Sequence, residues 1–587
     1  MPWTLDTWLS EMIFSARKRL HPASAFLGLW LACFVACAMP AAAQVPPAES
    51  ALKLRLDALA KQGGVLPGGI SIAAVELLPK LYASLGYNLA WTNPANVSAL
   101  KEAVARSWED GLLPSDFHAR FLRTGPHPAA TGAGAIDQDI LMSDALARLL
   151  YQLYFGKVNP NALDANWNFA RPMLSNDPVD LVKETLAQGQ IGALIAKARL
   201  DHPLYIALKS TLQAFTQFEI TGGWPVLPDG PAVKPGMSDA RMPLLRQRLA
   251  VTGEFQGDRA DPSPVLDAPL ADALKLFQTQ HGLDSDGVLG ATTLAALNVS
   301  AHDRVEQIRV NLERGRWILR PIGPEMVTVN IAGQYLHLIF NGKRVWTTRV
   351  VVGKTYNKTP IFTETMKQIV LNPDWTVPRS IVRNEMFPKA SANPGYLAAN
   401  DFYLTGANGP VDASTVDWGG LTASTFPYGI VQRPGPKNAL GRVKFLFPNK
   451  YSVYLHDTPS RQLFAKAERS LSHGCIRVED PLKLAELILN ERLQWTREKI
   501  DAALATGKQQ YISLPKPLPV LLLYWTVDPT FDGGAYFYRD IYGRDANVLK
   551  ALNSEFSKVS GPVAVRKPKP TVKKSQAPEG PAPDVIP

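Results

Sequence analysis

From residue 50 to about residue 220, apolar positions recur every three or four residues. Leu52, Leu56 and Leu59 form one stripe, and Leu146, Leu149, Leu150 and Leu153 form another. That period predicts amphipathic helices. Asn93-Pro94 and the Gly/Pro/Ala/Thr-rich stretch 125–134 divide them into shorter pieces. Trp91, Trp108, Trp167 and Trp224 read as core residues. No cluster of chemistry-bearing side chains stands out, so 44–230 is expected to be a helical scaffold.

A Pro/Gly-rich linker over 224–236 precedes a compact unit at 237–300. Leu245 and Leu249 lie one turn apart on a first helix that should stop near Gly253, a residue suited to a helix C-cap. Leu270, Leu274 and Phe277 stripe a second helix, and a third is expected over 291–298. Between them run Phe277-Gln278, Gly282-Leu283 and Asp286-Gly287-Val288-Leu289-Gly290, whose glycines supply the positive φ such turns require. With its Thr-x-x-x-Leu helix, the unit resembles the small three-helix peptidoglycan-binding module. His281 invites a metal reading, but no second ligand stands at suitable spacing, and a helix-end histidine is expected.

Residues 301–320 read as a basic connecting helix. From Met326 the period changes to two: Val327, Val329 and Ile331 alternate with polar residues. Apolar runs at 335–340 and 345–352 flank Asn341-Gly342, a strong hairpin signal. His337 reads as a strand-face histidine. A β run at 367–371 leads into Asn372-Pro373-Asp374-Trp375-Thr376-Val377-Pro378. The stretch 379–423 then breaks into short helices and loops, the pattern of a lid or binding loop inserted between strands. Strands are expected again at 428–432, 443–447, 453–456 and 476–478, with the turn-rich basic loop 433–441 among them. Asp480-Pro481 opens a helix to 493, Asp at the N-cap and Pro at the first helical position. After an apolar strand at 520–526 come an aromatic segment at 536–542 and a helix at 546–556. The Pro- and Lys-rich stretch 557–587 has too few large apolar groups to fold and is expected to be disordered.

The fold class is therefore α+β multidomain. It comprises the scaffold, the three-helix unit, a connecting segment at 301–325, a β-rich domain at 326–505 with a helical capping insertion at 379–423, and an extension at 506–556 packed on those bodies. The chain's 587 residues suit about three or four domains, and its 48 prolines fit several linkers.

The N-terminus changes the picture of where the chain works. Arg17, Lys18 and Arg19 precede an apolar run over 25–39 and the small-residue site Ala41-Ala42-Ala43, the layout of an export signal over 1–43. Met12 offers an alternative start. The run is shorter than the roughly 20 residues of a spanning helix; left uncleaved, it would be an inner-membrane anchor. Export places the chain in the periplasm and excludes nucleic acid as partner. The net charge of +10 suits an anionic envelope polymer. Of three cysteines, Cys33 and Cys37 lie in the leader, so the mature chain has one thiol and no internal disulfide.

That thiol is Cys475, two residues after His473 and nineteen after His456, on the turn Ser472-His473-Gly474-Cys475. The thiolate is the reactive form of cysteine, and a nearby imidazole is the usual means of generating it. A strand-end His456 beside Cys475 would act as general base and then protonate a leaving amine. The carboxylate of Asp457, or a main-chain carbonyl near it, would hold the other ring nitrogen. Backbone N–H groups of the turn suit an oxyanion, worth about 3–4 kcal/mol per donor. This is acyl transfer through a thioester, with no substrate specified.

His456, fifteen residues, then Ser472-His473-Gly474-Cys475-Ile476-Arg477 resembles the signature of the L,D-transpeptidase (YkuD-type) catalytic domain. Asn372-Pro-x-Trp-x-Val-Pro378, Arg433-Pro-Gly-Pro-Lys-Asn-Ala-Leu-Gly441 and Asp540-Ile-Tyr-Gly-Arg-Asp545 extend the resemblance to large YcbB-like L,D-transpeptidases of Gram-negative bacteria. It implies Cys475 as nucleophile, His456 as base and Asp457 beside them. Ser472, His473 and Gly474 would frame or support the oxyanion site, while Arg477 and Tyr454 would contact substrate. It further implies peptidoglycan tetrapeptide stems as donor and acceptor, 3→3 cross-links with release of D-alanine, acylation by carbapenems, no metal or organic cofactor, and a monomer. An L,D-carboxypeptidase-type hydrolase on the same stem is the alternative. An inert peptidoglycan-binding adaptor is a second.

Overall fold

The structure, a computed structural model, describes residues 50–123, 132–163, 167–168, 177–320, 323–530, 533–556 and 558–559. The expected leader and nearly all of the tail lie outside these residues. Lys558 and Val559, which sequence assigned to the disordered tail, are docked: Val559 is buried and its N–H donates to Ala73 O at 3.0 Å. Among the described residues no helix is long and apolar enough to cross a membrane.

The N-terminal region is helical, with the long helix Ala133–Phe155 at its centre. Leu52, Leu56 and Leu59 are buried on one stripe, and Leu146, Leu149 and Leu153 on another. Asn93 caps Pro94–Ala105 by accepting from Ala95 N. Within the long helix, Asp139 receives Tyr82 OH and the N–H groups of Ala90 and Trp91, so a buried carboxylate fixes an incoming loop. Trp91 and Trp224 are core residues, whereas Trp108 is 38 % exposed and does not belong to the core expected for it. The side chain of Trp167 is outside the description.

Helices Met242–Thr252, Ala268–Gln280 and Ala291–Leu297 enclose their own core of Leu245, Leu249, Leu270, Leu274, Phe277 and Leu297. Phe277-Gln278 has a double task. Phe277 fills the core, while Gln278 Oε1 accepts from Gly287 N at 2.8 Å and its Nε2 donates to Asp286 Oδ1 at 2.9 Å. His281 caps its helix, buried and stacked 3.8 Å from the Phe277 ring and 5.7 Å from that of Phe537.

Sequence treats 301–320 as a basic connector; the structure makes it the buried hub. Helix Ala301–Ile318 buries nearly every residue after its first turn. Its cations are buried because each finds oxygen partners. Arg316 pairs with Glu313 at 2.6 Å and donates to Asp110 O, while Arg309 donates to Gly111 O and Arg314 pairs with Asp545. Glu313 also accepts from Val158 N. One helix thereby ties the scaffold to the C-terminal segment.

The large sheet is built from β1 (Met326–Asn330), β2 (Tyr335–Phe340), β3 (Lys343–Gly353), β4 (Ile361–Leu371), β5 (Val443–Leu446), β6 (Leu455–His456), β7 (Ser470–Ser472), β8 (Ile476–Val478) and β9 (Gln510–Leu523). Asn341 and Gly342 both have positive φ, as a two-residue hairpin of primed type requires, and Phe340 pairs with Lys343 across it. The order is β5–β6–β8–β3–β2–β1–β9–β4, and β4 pairs back with β5, closing the ring. The extension proposed at 506–556 is thus not an appendage. β9 lies inside the sheet, parallel to β1 and antiparallel to β4. Pro481 opens the helix Pro481–Leu493, whose Leu482, Leu484, Ala485, Ile488 and Leu489 enter the main core, although Asp480 makes no side-chain cap bond.

The insertion is larger than 379–423. Strands Trp375–Thr376, Phe402–Gly406, Gly409–Val411 and Gly429–Gln432 form a separate small sheet. It has its own core of Val377, Val382, Phe387, Leu397, Leu404, Phe426 and Ile430. Residues 428–432, expected in the main sheet, belong here.

Candidate active site

The site is set by strand register. β6 runs parallel to β8 with Leu455 opposite Ile476 and His456 opposite Arg477, and antiparallel to β5 with Lys444 opposite His456. Paired residues share a face and alternate residues return to it. Lys444, Tyr454, His456, Cys475 and Arg477 therefore share one side, away from the core face that carries Phe445, Leu455 and Ile476. The N–H of Ile476 donates to Tyr454 O at 3.1 Å, fixing Cys475 beside Tyr454.

His456 is buried, and its Nδ1 meets the main-chain carbonyl of Asp457 at 2.5 Å. Of the two orienting groups that sequence left open, the structure selects the carbonyl. The Asp457 carboxylate instead binds the N–H groups of Arg442 (2.8 Å) and Thr458 (2.6 Å) and the Arg461 guanidinium (2.5 Å). It holds the loop on either side of the histidine rather than the ring. With Nδ1 as donor to a carbonyl, Nε2 is left as the acceptor a general base needs.

The half-buried Cys475 thiol donates to Ser452 O at 3.7 Å, and Ser452 itself has the left-handed φ of 54°. Such strained backbone clusters at functional sites. Ser472 shapes the turn: its hydroxyl donates to Cys475 O at 2.5 Å and accepts from Gly474 N at 3.1 Å. Gly474 takes φ 115°, open to glycine alone. Its N–H is consequently engaged, whereas the N–H of Cys475 meets no acceptor among the described residues and is the better placed oxyanion donor. The exposed imidazole of His473 pairs with Glu385 of the capping insertion at 2.8 Å.

Burial dominates the electrostatics. It pushes the Cys475 thiol up, against the opposing pull of the Tyr454 N–H, Lys444, the Tyr454 hydroxyl and Arg477. Burial, then Arg477, pushes His456 down to about 3, with Lys444 adding to the effect and the Asp457 carbonyl opposing it. The resting pair is a neutral thiol and a neutral imidazole, not a preformed ion pair. Tyr454 stands on the same face, its ring 5.7 Å from that of His456. Beyond it a trough of about 630 Å³ runs along the sheet, lined in part by Ser452, Tyr454, Leu446, Gln368 and Ser513.

A supporting layer escaped the sequence reading. Thr359 Oγ1 donates to Gly474 O and accepts from Gly353 N, both at 2.9 Å. Tyr542 OH donates to Gly353 O at 2.6 Å. A Cβ on Gly353 would lie 2.1 Å from Asn357 O and 3.1 Å from the Gly474 Cα, so only glycine fits. Tyr542 comes from the segment 540–545, which was noted as a motif without a task. Its task is here: Asp540 accepts from Tyr524 OH, Tyr542 N donates to the same hydroxyl, and the aligned tyrosine braces the catalytic turn.

Residues 324–505 match the family model described as the L,D-transpeptidase catalytic domain (YkuD). Residues 76–212 match a "Scaffold domain", and 238–297 a "Putative peptidoglycan binding domain". A "Putative L,D-transpeptidase" of Haemophilus influenzae is 32% identical over 255 residues, covering 43% of this chain and 51% of that protein. The chain thus spans about half the length of the curated relative it matches. A crystal structure of the L,D-transpeptidase from Xylanimonas cellulosilytica aligns at 16% identity, covering 50% of this chain and 99% of that one; its TM-score of 0.16 carries no argument about the fold. The thiol, the imidazole and the turn that joins them all fall within the first of these matches, so residues 324–505 are an L,D-transpeptidase catalytic domain of the YkuD family, borne with a scaffold and a peptidoglycan-binding domain in a YcbB-like architecture.

Proposed function

We propose that the chain is a peptidoglycan L,D-transpeptidase working through a Cys475 thioester. The observation that carries the reading is the placement of His456 and Cys475 on one face of adjacent strands inside the matched catalytic domain. On donor binding, the thiol turns from the Ser452 carbonyl toward His456 Nε2, which takes its proton as sulfur attacks the donor carbonyl. The oxyanion is met by the Cys475 N–H on a turn already rigid, so little reorganisation is needed. The C–N bond breaks, the imidazolium gives its proton to the departing amine of D-alanine, and the thioester remains. The side-chain amine of a second stem then attacks, His456 takes and returns a proton in the same way, and the free thiol is restored with a 3→3 link formed. The expected export signal puts this work in the periplasm, with stems as both partners and the protein as a monomer.

Purified disaccharide-tetrapeptide supplies the test. Dimers with 3→3 links are expected from the wild type and none from Cys475→Ala; tripeptide monomer as the exclusive product would make the enzyme a hydrolase. Intact mass after carbapenem exposure should show one adduct, absent in Cys475→Ala, and an unchanged wild-type mass would remove Cys475 as nucleophile.

A further inference from the structure

Two cations stand on the reactive face without an anion. Lys444 lies opposite His456 on one side and Arg477 lies opposite it on the other, each one strand away, about 5 Å. Both are half-buried. Lys444 Nζ rests 4.0 Å from the centre of the Tyr454 ring. Among the described residues neither cation has a carboxylate within ion-pair distance, and Arg477 Nε is buried with no hydrogen-bond partner. The carboxylate of Asp374 acts on Lys444 from beyond that distance and is held by Gln509 Nε2 at 2.8 Å. Elsewhere buried cations meet a carboxylate, as Arg316 does Glu313 and Lys157 does Asp116, or several neutral oxygens, as Arg469 does the carbonyls of Val350, Lys466 and Gln334. Leaving two half-desolvated cations unpaired is costly unless a ligand supplies the charge.

The position says which charge. In a peptide cleaved one residue from its end, the free carboxylate of the departing residue is three bonds from the scissile carbonyl carbon, about 4 Å. Once that carbon reaches the sulfur of Cys475, the carboxylate falls within one strand spacing of the nucleophile, on the face where the Tyr454 ring, itself beside Cys475, holds the Lys444 ammonium.

We infer that Lys444, with Arg477 across from it, receives the free carboxylate of the leaving residue and so makes the site selective for donors that end one residue beyond the acylated carbonyl. This rests on the acyl-transfer reading above and adds to it a specificity-determining residue. A longer peptide would place a neutral amide against Lys444 and leave the cation unmatched. Because Lys444 also draws the Cys475 thiol down, its part in donor choice is read from binding with the thiol absent.

Calorimetry on the full chain in the Cys475→Ala background tests this with two probes, disaccharide-tetrapeptide and its C-terminal carboxamide. The acid should bind about tenfold or more tightly than the amide, the yield of one charge-assisted contact. Lys444→Met should reduce that preference to under about threefold by weakening the acid alone, and Lys444→Arg should keep part of it. Equal binding of the two probes, a preference that survives Lys444→Met, or no binding of either overturns the inference. A melting curve confirms that the variant folds. Turnover reports separately: wild type that forms no product while the Cys475→Ala protein still tells acid from amide would reject the acyl-transfer reading and leave Lys444 as a binding site for the terminal carboxylate alone.

Discussion

The Glu385 carboxylate meets the His473 imidazole at 2.8 Å, joining the capping insertion to the turn that carries Cys475. Glu385 lies in a π-helical turn, Val382–Met386, a local departure often found at functional sites. The insertion thus meets the Ser472–Cys475 turn through a polar contact whose two side chains are 39% and 42% exposed.

An exposed pair of this kind contributes about 1 kcal/mol or less. Glu385→Gln is therefore expected to leave the melting temperature within about 3 °C and to alter kcat/KM by no more than about fivefold. Steady-state kinetics with a thermal melt would check both. A hundredfold loss would mean that the carboxylate takes part in the chemistry.

A neutral resting pair makes a distinct prediction for the thiol. With Cys475 pushed up and His456 pushed down to about 3, iodoacetamide alkylation of the free enzyme should show no plateau between pH 4 and 8. Its rate should climb only above the ordinary thiol range of about 8.5. A plateau starting near pH 4 would instead reveal a thiolate–imidazolium pair.

Thr359 touches no part of the catalytic pair, yet it holds the Gly474 carbonyl and the Gly353 N–H together. Thr359→Val keeps the shape and leaves both groups unpaired. The expected cost is about 2–4 kcal/mol of stability in urea unfolding, with a fall in kcat of about tenfold to a hundredfold from the displaced turn. Unchanged kcat in a protein that has lost the stability would confine Thr359 to folding.

Acid should weaken the fold through the buried histidines His456, His281 and His337. Burial holds His456 and His337 near 3 and His281 well below the usual value, whereas all titrate near 6.5 when unfolded. Between those limits the unfolded chain binds more protons, so stability falls as pH drops from about 6.5, by about 1.4 kcal/mol per pH unit for each histidine. His456→Gln should flatten the slope between pH 4.5 and 6 by about one proton. An unaltered slope would mean that His456 accepts its proton in the folded state.

Much of this was legible from local pattern. Asn341-Gly342 announced its hairpin because positive φ at consecutive positions is a local demand, and Gln278 with Gly287 announced its turn for the same reason. The sequence placed His456 at a strand end and Cys475 just before another strand, and those two strands are neighbours. Longer-range relations were not. Nothing in the alternation of residues 510–523 says that they enter between β1 and β4. The basic composition of 301–318 pointed outward, whereas Arg309, Arg314 and Arg316 find their oxygen partners in segments hundreds of residues away or one turn along. Lys444 and Thr359 carry no motif; only register and a bond across the turn disclose them.

The parallel pairing of β9 with β1 has a bearing on how the protein comes into being. The hairpins of β1, β2 and β3 can zip locally, but a gap stays open beside β1 until residues 510–523, nearly two hundred positions further along, dock to fill it. Tyr542, the prop under Gly353, lies further along still. A folding intermediate without β9 and Tyr542 therefore lacks a rigid cradle for its sulfur.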